Sequence, residues 1–480
     1  MKQAMLFLLL IAAIIVNAQV EFKIVTGPSI REYQQLASYG KDGYVLKYTG
    51  YDIAKRYKGK FVKYNTDNKI GLQKEFEISS KLKPFPYGEI LLQGDKALWL
   101  TGGTGRGQEA ESSTLLLSHA YATGFTVQPF DLKTMQPGTP AVAMDVWGAT
   151  KEKYPETSIL RSLEGKRLAM IGNPYNIYTT MKFQLHDETG KVLFSKDYSV
   201  PFLKKWDSWY GQNLAENGDF TFFARNEKEN FFYIARIGAD DQKLYSKKIE
   251  MSGKKVFSFG CKAKDGNLVL KYTYQTGDEG ETEGIVVDTY SPSFELITHN
   301  DYKFPETILA RAAATKKSNP KAKYRMRLKD METGGYLAII YEDGQRQTGP
   351  QKWDDTQNNL FCVGLSDKFE VIYQYDVHHV DEKSNWCIYR PYGNYIEGDN
   401  VYMFHAGTDD KVKNTKDEFE LYCTYWQHNK TKPQTVKVVR PYSDLNLSMG
   451  WYHTMDKNKL LIQGEGNGGK TYTTMQIISK

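Results

Sequence analysis

Short runs in which apolar and polar residues alternate recur along this chain, and each is launched by a polar Gly, Asp or Asn turn. They read KDGYVLKY (41–48), GDKALWLTG (94–102), EGKRLAMIG (164–172), NGDFTFFAR (217–225), KDGNLVLKYTY (264–274), TGGYLAIIY (333–341), GDNVYMFHAG (398–407) and DKNKLLIQG (456–464). A period of two marks a strand with one face on a core, and strand, tight polar turn, strand marks a hairpin. Partner strands precede several of the turns, as in EILLQ (89–93), SILRSL (158–163), VFSFGCKA (256–263) and YRMRLKD (324–330). A second hairpin pattern follows each of the first seven copies, over 61–78, 125–143, 181–200, 232–251, 284–304, 360–377 and 419–439. The two hairpins together predict four strands per unit, with units about 50 to 70 residues apart.

A four-stranded meander has two apolar faces and cannot cover both alone. Stacking such units around an axis buries each face on its neighbour, so the pattern predicts an all-β fold of the β-propeller type. The last unit holds only three strands before the sequence ends at KTYTTMQIISK (470–480), whereas VEFKIV (20–25) alternates with no partner in its own unit. The expectation is eight four-stranded blades, with the N-terminal strand completing the last. The alternative is seven complete blades with a frayed N-terminal strand. The segment PETILARAAATKKSNP (305–320) begins with Pro and ends in Asn-Pro around Ala and Leu, which predicts a short helical insertion. Residues 19–480 are read as one propeller domain.

The loop TGGTGRGQ (101–108) invites comparison with a dinucleotide-binding turn, but its last required glycine falls on Gln108, and around 125–130, where a ribose-binding carboxylate is required, the chain reads FTVQPF with no acidic residue until Asp131. Glycine-bearing loops occupy the equivalent place in other units, at 171–176, 276–284 and 464–469. We therefore read it as the turn between the second and third strands of the second blade, and no cofactor is expected.

Composition agrees with strands and turns: 34 Tyr, 23 Phe and 40 Gly. The unbroken apolar run Met5–Val16 follows Lys2 and leads to Val16-Asn17-Ala18, which predicts a signal peptide over residues 1–18 and export to a periplasmic or extracellular compartment. At 12 residues the run is shorter than a membrane span, and no other run approaches that length, so the chain is not expected to span a membrane. Net charge is +6 with no Lys/Arg run, which argues against a nucleic-acid partner. Cys261, Cys362, Cys387 and Cys423 show no CxxC spacing and so no zinc site; they are either free buried thiols or include one bridge, Cys387 with Cys423.

Nucleophile elbow, HExxH and P-loop motifs are absent. His378 and His379 are adjacent on a strand and point to opposite faces, so they are not expected to share a metal. The acidic stretch 276–284 lacks EF-hand spacing. What remains is aromatic and cationic. Arg-Pro-Tyr occurs twice between units, at 390–392 and 440–442, and Trp206, Trp209, Trp353 and Trp451 sit at strand starts or loops. Exposed aromatics stack on sugars or anchor protein partners, which makes Trp209, Trp353, Tyr392, Arg390 and Tyr442 the candidate binding residues.

In layout the chain resembles the exported β-propeller-like proteins of bacteria, although the WD40, kelch and sialidase repeat signatures are missing. The resemblance implies fold and compartment, not an activity. The function expected is a non-enzymatic binding module that holds a protein or a glycan in loops at one end of the ring. The alternative is a propeller-fold glycan hydrolase or lyase with carboxylates from different blades.

Overall fold

The computed structural model describes residues 20–27, 34–51, 57–78, 87–93, 96–102, 124–131, 141–145, 156–162, 166–173, 179–202, 209–226, 231–250, 253–264, 267–275, 283–303, 306, 323–349, 352–356, 359–379, 393–407, 420–439, 447–466 and 469–479. These form a β-propeller of antiparallel meanders. There are eight sheets, seven of four strands and one of five. The chain divides into two compact units: Glu32–Asn65 with Ile70–Arg390, and Met1–Arg31 with Thr66–Lys69 and Pro391–Lys480.

The larger unit carries six sheets, each in sequence order. The first comprises Gln34–Gly40, Gly43–Tyr51, Tyr57–Tyr64 and Ile70–Ile78. The second comprises Tyr87–Gln93, Lys96–Gly102, Gly124–Asp131 and Ala141–Asp145. Glu156–Arg161, Arg167–Asn173, Thr180–Asp187 and Val192–Ser199 make the third. The fourth holds Trp209–Leu214, Phe220–Asn226, Phe231–Ile237 and Leu244–Glu250. Lys255–Lys264, Asn267–Gln275, Gly284–Tyr290 and Leu296–Lys303 make the fifth. The sixth departs from the expected four strands. Lys323–Asp330, Tyr336–Gly349, Asn359–Leu365 and Val371–His379 form its path, and the lengthened second strand also pairs with Lys352–Thr356.

The smaller unit holds the seventh sheet, Gly393–Glu397, Asn400–Gly407, Glu420–Gln427 and Gln434–Val439. It also holds the eighth, Leu447–Asp456, Lys459–Gly466 and Gly469–Ser479, completed by the N-terminal strand Val20–Thr26. That strand runs antiparallel to Gly469–Ser479, with Val20 opposite Ser479 and Thr26 opposite Thr473. The sequence signal was an unpartnered alternating segment at one end and a missing strand at the other, and the two complete one sheet. The turn Thr66–Lys69 groups with this unit. Thr474 Oγ1 donates to Thr66 O at 2.8 Å, the Asn68 side-chain amide donates to Val25 O, and Lys23 Nζ lies 3.7 Å from Asp67.

Burial explains the differing patterns of the strands. Middle strands are covered on both faces and read as nearly continuous apolar runs: GIVVDTY in the fifth sheet is buried at six of seven positions. Fourth strands keep one open face, as in LITHNDYK. Core clusters form where faces meet. Ile171, Phe183 and Leu185 of the third sheet pack with Phe220, Phe222 and Ile237 of the fourth, with the Phe183 and Phe220 rings stacked at 5.3 Å. Ile285 and Tyr302 of the fifth sheet pack with Met326, Ile340 and Phe361 of the sixth. In the smaller unit, Tyr402, Phe404 and Leu421 pack with Leu460, Ile462, Met475 and Val20.

A recurring turn closes the third-to-fourth hairpins. In Ser291–Glu295 the Phe294 N–H donates to Ser291 O at 2.8 Å, and the Ser291 N–H donates to Glu295 O at 2.9 Å. Ser366–Glu370 repeats the arrangement, with bonds of 3.1 and 2.9 Å. This is a tight turn followed by one left-handed residue. Glycine takes that position at Gly190, and at Gly334 in the first-to-second turn of the sixth sheet, but Phe294 and Phe369 hold it at φ 63°. Packing compensates the strain: Phe294 is buried, and Phe369 stacks on Tyr336 at 4.9 Å.

Cys362 and Cys423 are buried free thiols, so the bridge between Cys387 and Cys423 is not formed. Of the segment 305–320, Glu306 is the one residue described, and the signal segment 1–18 lies outside the described residues. Among the described residues no helix is long and apolar enough to cross a membrane.

Candidate functional site

Strand direction sorts the connections of each meander into two ends. Turns joining first to second and third to fourth strands share one end and are short, as at 41–42, 188–191 and 332–335. Connections from second to third strands, and from a fourth strand to the next sheet, share the other end of each sheet and include the longest, at 103–123, 304–322 and 380–392, beside short ones such as 227–230 and 467–468. Trp209 opens the first strand of the fourth sheet. Arg390 and Tyr392 fall in the connection after His379, and Tyr442 in the connection after Val439; these three lie outside the described residues.

Trp353 is not in a loop. It lies in the strand Lys352–Thr356, opposite Gln347 of the lengthened second strand of the sixth sheet. The extra hairpin therefore carries the sheet beyond Lys323, which pairs with Asp343 at the start of the first strand. Trp451 likewise sits within a strand, Leu447–Asp456. Gly102 ends the second strand of the second sheet and pairs with Phe125 of the antiparallel third strand, and residues 103–108 of the glycine-rich segment lie outside the described residues.

The first strand of the sixth sheet carries a feature that the absence of any contiguous Lys/Arg run concealed. Its sequence KYRMRLKD places Lys323, Arg325, Arg327 and Lys329 at alternate positions. Met326 and Leu328 on the opposite face pack into the core shared with the fifth sheet. Arg327 and Lys329 are exposed and Arg325 is half-buried. Arg327 lies over the Tyr341 ring at 5.3 Å. The nearest acid along the strand, Asp330, is held by Lys271 Nζ at 2.5 Å, and that ammonium also sits over the Tyr336 ring. Lys329 reaches solvent, yet partial burial and then the Arg327 charge press its ammonium below the usual lysine range. The signal that could have revealed this stripe is the period of two among cations.

A second polar cluster lies on the fifth sheet. His299 Nδ1 is 2.6 Å from Asp288 Oδ1, and the His299 side chain is half-exposed. Burial raises the Asp288 carboxyl, opposed in part by His299. Tyr274 donates to Asp301 Oδ1 at 2.6 Å and Lys254 to Asp301 Oδ2 at 2.5 Å. Burial pushes Asp301 up, but these two partners outweigh it and hold the carboxyl below its ordinary value. The pair occupies the third and fourth strands and pairs in register.

Among the described residues no group of three His, Cys, Asp or Glu is placed to hold a metal. A water-sized hollow in the smaller unit, lined by Lys23, Thr66, Asp67, Lys459 and Gln476, is too small for an organic ligand.

No protein-family model matches the chain, and no curated protein matches it in sequence. Solved structures match at low identity. The polysaccharide lyase Uly1 is 10% identical over 81% of this chain and 89% of its own, with a TM-score of 0.39. The β-propeller domain of the trilobed protease from Pyrococcus furiosus is 10% identical over 82% of this chain and 98% of its own, with a TM-score of 0.36. The α-L-arabinanase of Penicillium chrysogenum is 9% identical over 68% of this chain and 93% of its own, with a TM-score of 0.32. Scores this low add nothing to the sheet topology described above.

Proposed function

We propose that the chain is an exported binding module that uses the longer-loop end of its sheets to hold a glycan or a protein. The observation that carries this reading is the extra hairpin of the sixth sheet. It lengthens that end and sets the Trp353 position on a strand hydrogen-bonded to the second strand of the sheet beyond Asp343, the partner of Lys323. A tryptophan on a rigid element offers a large stacking surface at low entropic cost. Export rests on the apolar run Met5–Val16 and the small residues that follow it.

The alternative, a glycan hydrolase or lyase, draws on the His299–Asp288 pair and nearby Asp301, which bring an imidazole and two carboxylates to one sheet. Both readings are tested together by affinity electrophoresis of the intact chain in gels containing polysaccharides, run beside an assay for newly formed chain ends. The binding module predicts retardation without new ends, with Trp353→Ala weakening retention about tenfold, the equivalent of ~1.4 kcal/mol. New ends that vanish in His299→Ala and persist in Trp353→Ala would replace it with the enzyme.

A further inference from the structure

We infer that two copies of this chain associate through the short-turn end of the third, fourth and fifth sheets, the third sheet of each copy meeting the fifth sheet of the other. The inference goes beyond the proposed binding function, which uses the other end of the sheets.

In the third, fifth and sixth sheets the fourth strand is an edge strand, and it opens on an exposed pair of aliphatic residues: Val192 and Leu193, Leu296 and Ile297, Val371 and Ile372. In each pair the ladder skips the second residue. His186 pairs with Val192 and Leu185 with Phe194. Tyr290 pairs with Leu296 and Thr289 with Thr298, and Leu365 pairs with Val371 and Gly364 with Tyr373. The skipped residues Leu193, Ile297 and Ile372 have no cross-strand partner in the register and are 46, 53 and 46% exposed. An edge position that faces water is ordinarily guarded by a Lys or another charge. Large aliphatic residues at the same bulge of these three sheets instead expose clustered apolar surface, which marks an interaction face.

The turns that launch these strands lie in a row. Lys196 Nζ of the third sheet donates to Gln242 O in the third-to-fourth turn of the fourth sheet at 2.9 Å. Lys247 Nζ of the fourth sheet donates to Phe294 O in the same turn of the fifth at 2.6 Å. Tyr302 of the fifth sheet lies 6.1 Å from the ring of Phe369 in the turn of the sixth.

Charge selects the occupant. Exposed Lys191 immediately precedes the aliphatic pair of the third sheet, and exposed Glu295 precedes that of the fifth. Between them the turn of the fourth sheet offers both signs, Asp240 and Lys243, and its Leu244 and Tyr245 are half-buried and pair without a skip. A row that reads positive, mixed, negative complements itself about a two-fold axis at the fourth sheet. That arrangement sets Lys191 beside Glu295 of the second copy and covers the aliphatic pairs of both. A bilayer fits worse. Interfacial faces combine Lys or Arg with Trp, Phe or Leu, whereas the pairs of the fifth and sixth sheets follow Glu295 and Glu370.

The test is sedimentation velocity of the intact chain over a concentration series, beside flotation with phosphatidylcholine vesicles. A monomer–dimer equilibrium is expected, weakened about tenfold or more by Leu193→Ser/Ile297→Ser. Lys191→Glu or Glu295→Lys alone should weaken it about fivefold, and the two together should restore it, because the reversed pair attracts again. Misfolding cannot produce that restoration. A chain that stays monomeric at about 100 μM overturns the inference. So does a dimer that the serine variant leaves intact, a pair of charge reversals whose effects add, or flotation of a monomer with the vesicles. Each of these outcomes leaves the ligand-binding reading standing, since polysaccharide retardation measures it separately.

Discussion

Deleting residues 19–26 removes the strand that completes the eighth sheet, and the loss can be worked from its contacts. Val20 is 6% exposed, and burying a valine contributes about 1.5–3 kcal/mol. Phe22 and Ile24 are half-buried against the cluster of the seventh and eighth sheets, which adds roughly 1 kcal/mol each. The Phe22 ring meets Phe404 edge-on at 5.8 Å. Such a pair contributes about 0.5–1.5 kcal/mol more. The total is on the order of 5 kcal/mol before the ladder hydrogen bonds are counted. Global unfolding of a chain with two compact units need not be two-state. The assay is therefore amide hydrogen exchange along Gly469–Ser479, the strand left as an edge. A loss of ~5 kcal/mol speeds exchange there about a thousandfold or more, and Phe22→Ala alone, at ~2 kcal/mol, about thirtyfold. Adding a synthetic copy of residues 19–27 should restore protection. If the truncated chain exchanges over 469–479 at the parent rate, the pairing of Val20 with Ser479 contributes nothing and the closure argument is refuted.

Two further outcomes follow from single side chains. Phe369→Gly relieves about 1 kcal/mol of left-handed strain but removes a ring stacked on Tyr336. Net destabilisation of ~1–2 kcal/mol is expected in urea titration, and a stabilised variant would show that the aromatic contact is idle. His186 is buried, and burial lowers its imidazole below the usual 6.5. The native state therefore excludes a proton that the unfolded chain binds. Its contribution is whole above about pH 6.5 and declines as pH falls, by at most ~1.4 kcal/mol per unit. His428 and His453 are pushed down by burial as well, so His186→Gln should flatten the acid limb of a stability–pH curve by one group's share. An unchanged slope would show that His186 takes up no extra proton on unfolding.

The second and third strands of each unit were plain in the sequence because burial on one or both faces leaves a hydrophobic signature that period-two reading detects. That is how DKNKLLIQG and VEFKIV could be matched to one sheet although they stand at opposite ends of the chain. The fifth strand of the sixth sheet was not legible. Lys352–Thr356 reads KWDDT, with a single large apolar residue, and pairs with the equally polar stretch from Gly344 to Gly349. Such a polar hairpin leaves little trace in a hydrophobic pattern. Arg390, Tyr392 and Tyr442 illustrate a different limit. The sequence places them between strand units, in connections that carry no period-two signal and lie outside the described residues. The cationic strand was missed for a third reason. Counting charges by contiguity asks whether Lys and Arg are neighbours in the chain, whereas on a strand the neighbours in space are two apart. Read with that period, KYRMRLKD carries two patterns: Met326 and Leu328 pack into the core shared with the fifth sheet, and Arg325, Arg327 and Lys329 alternate on the other face. Replacing Arg327 and Lys329 with Gln should leave the fifth-to-sixth sheet core intact in urea titration, whereas Met326→Ala, which removes a buried side chain, should cost about 2–5 kcal/mol; equal losses would show that the two faces are not separable.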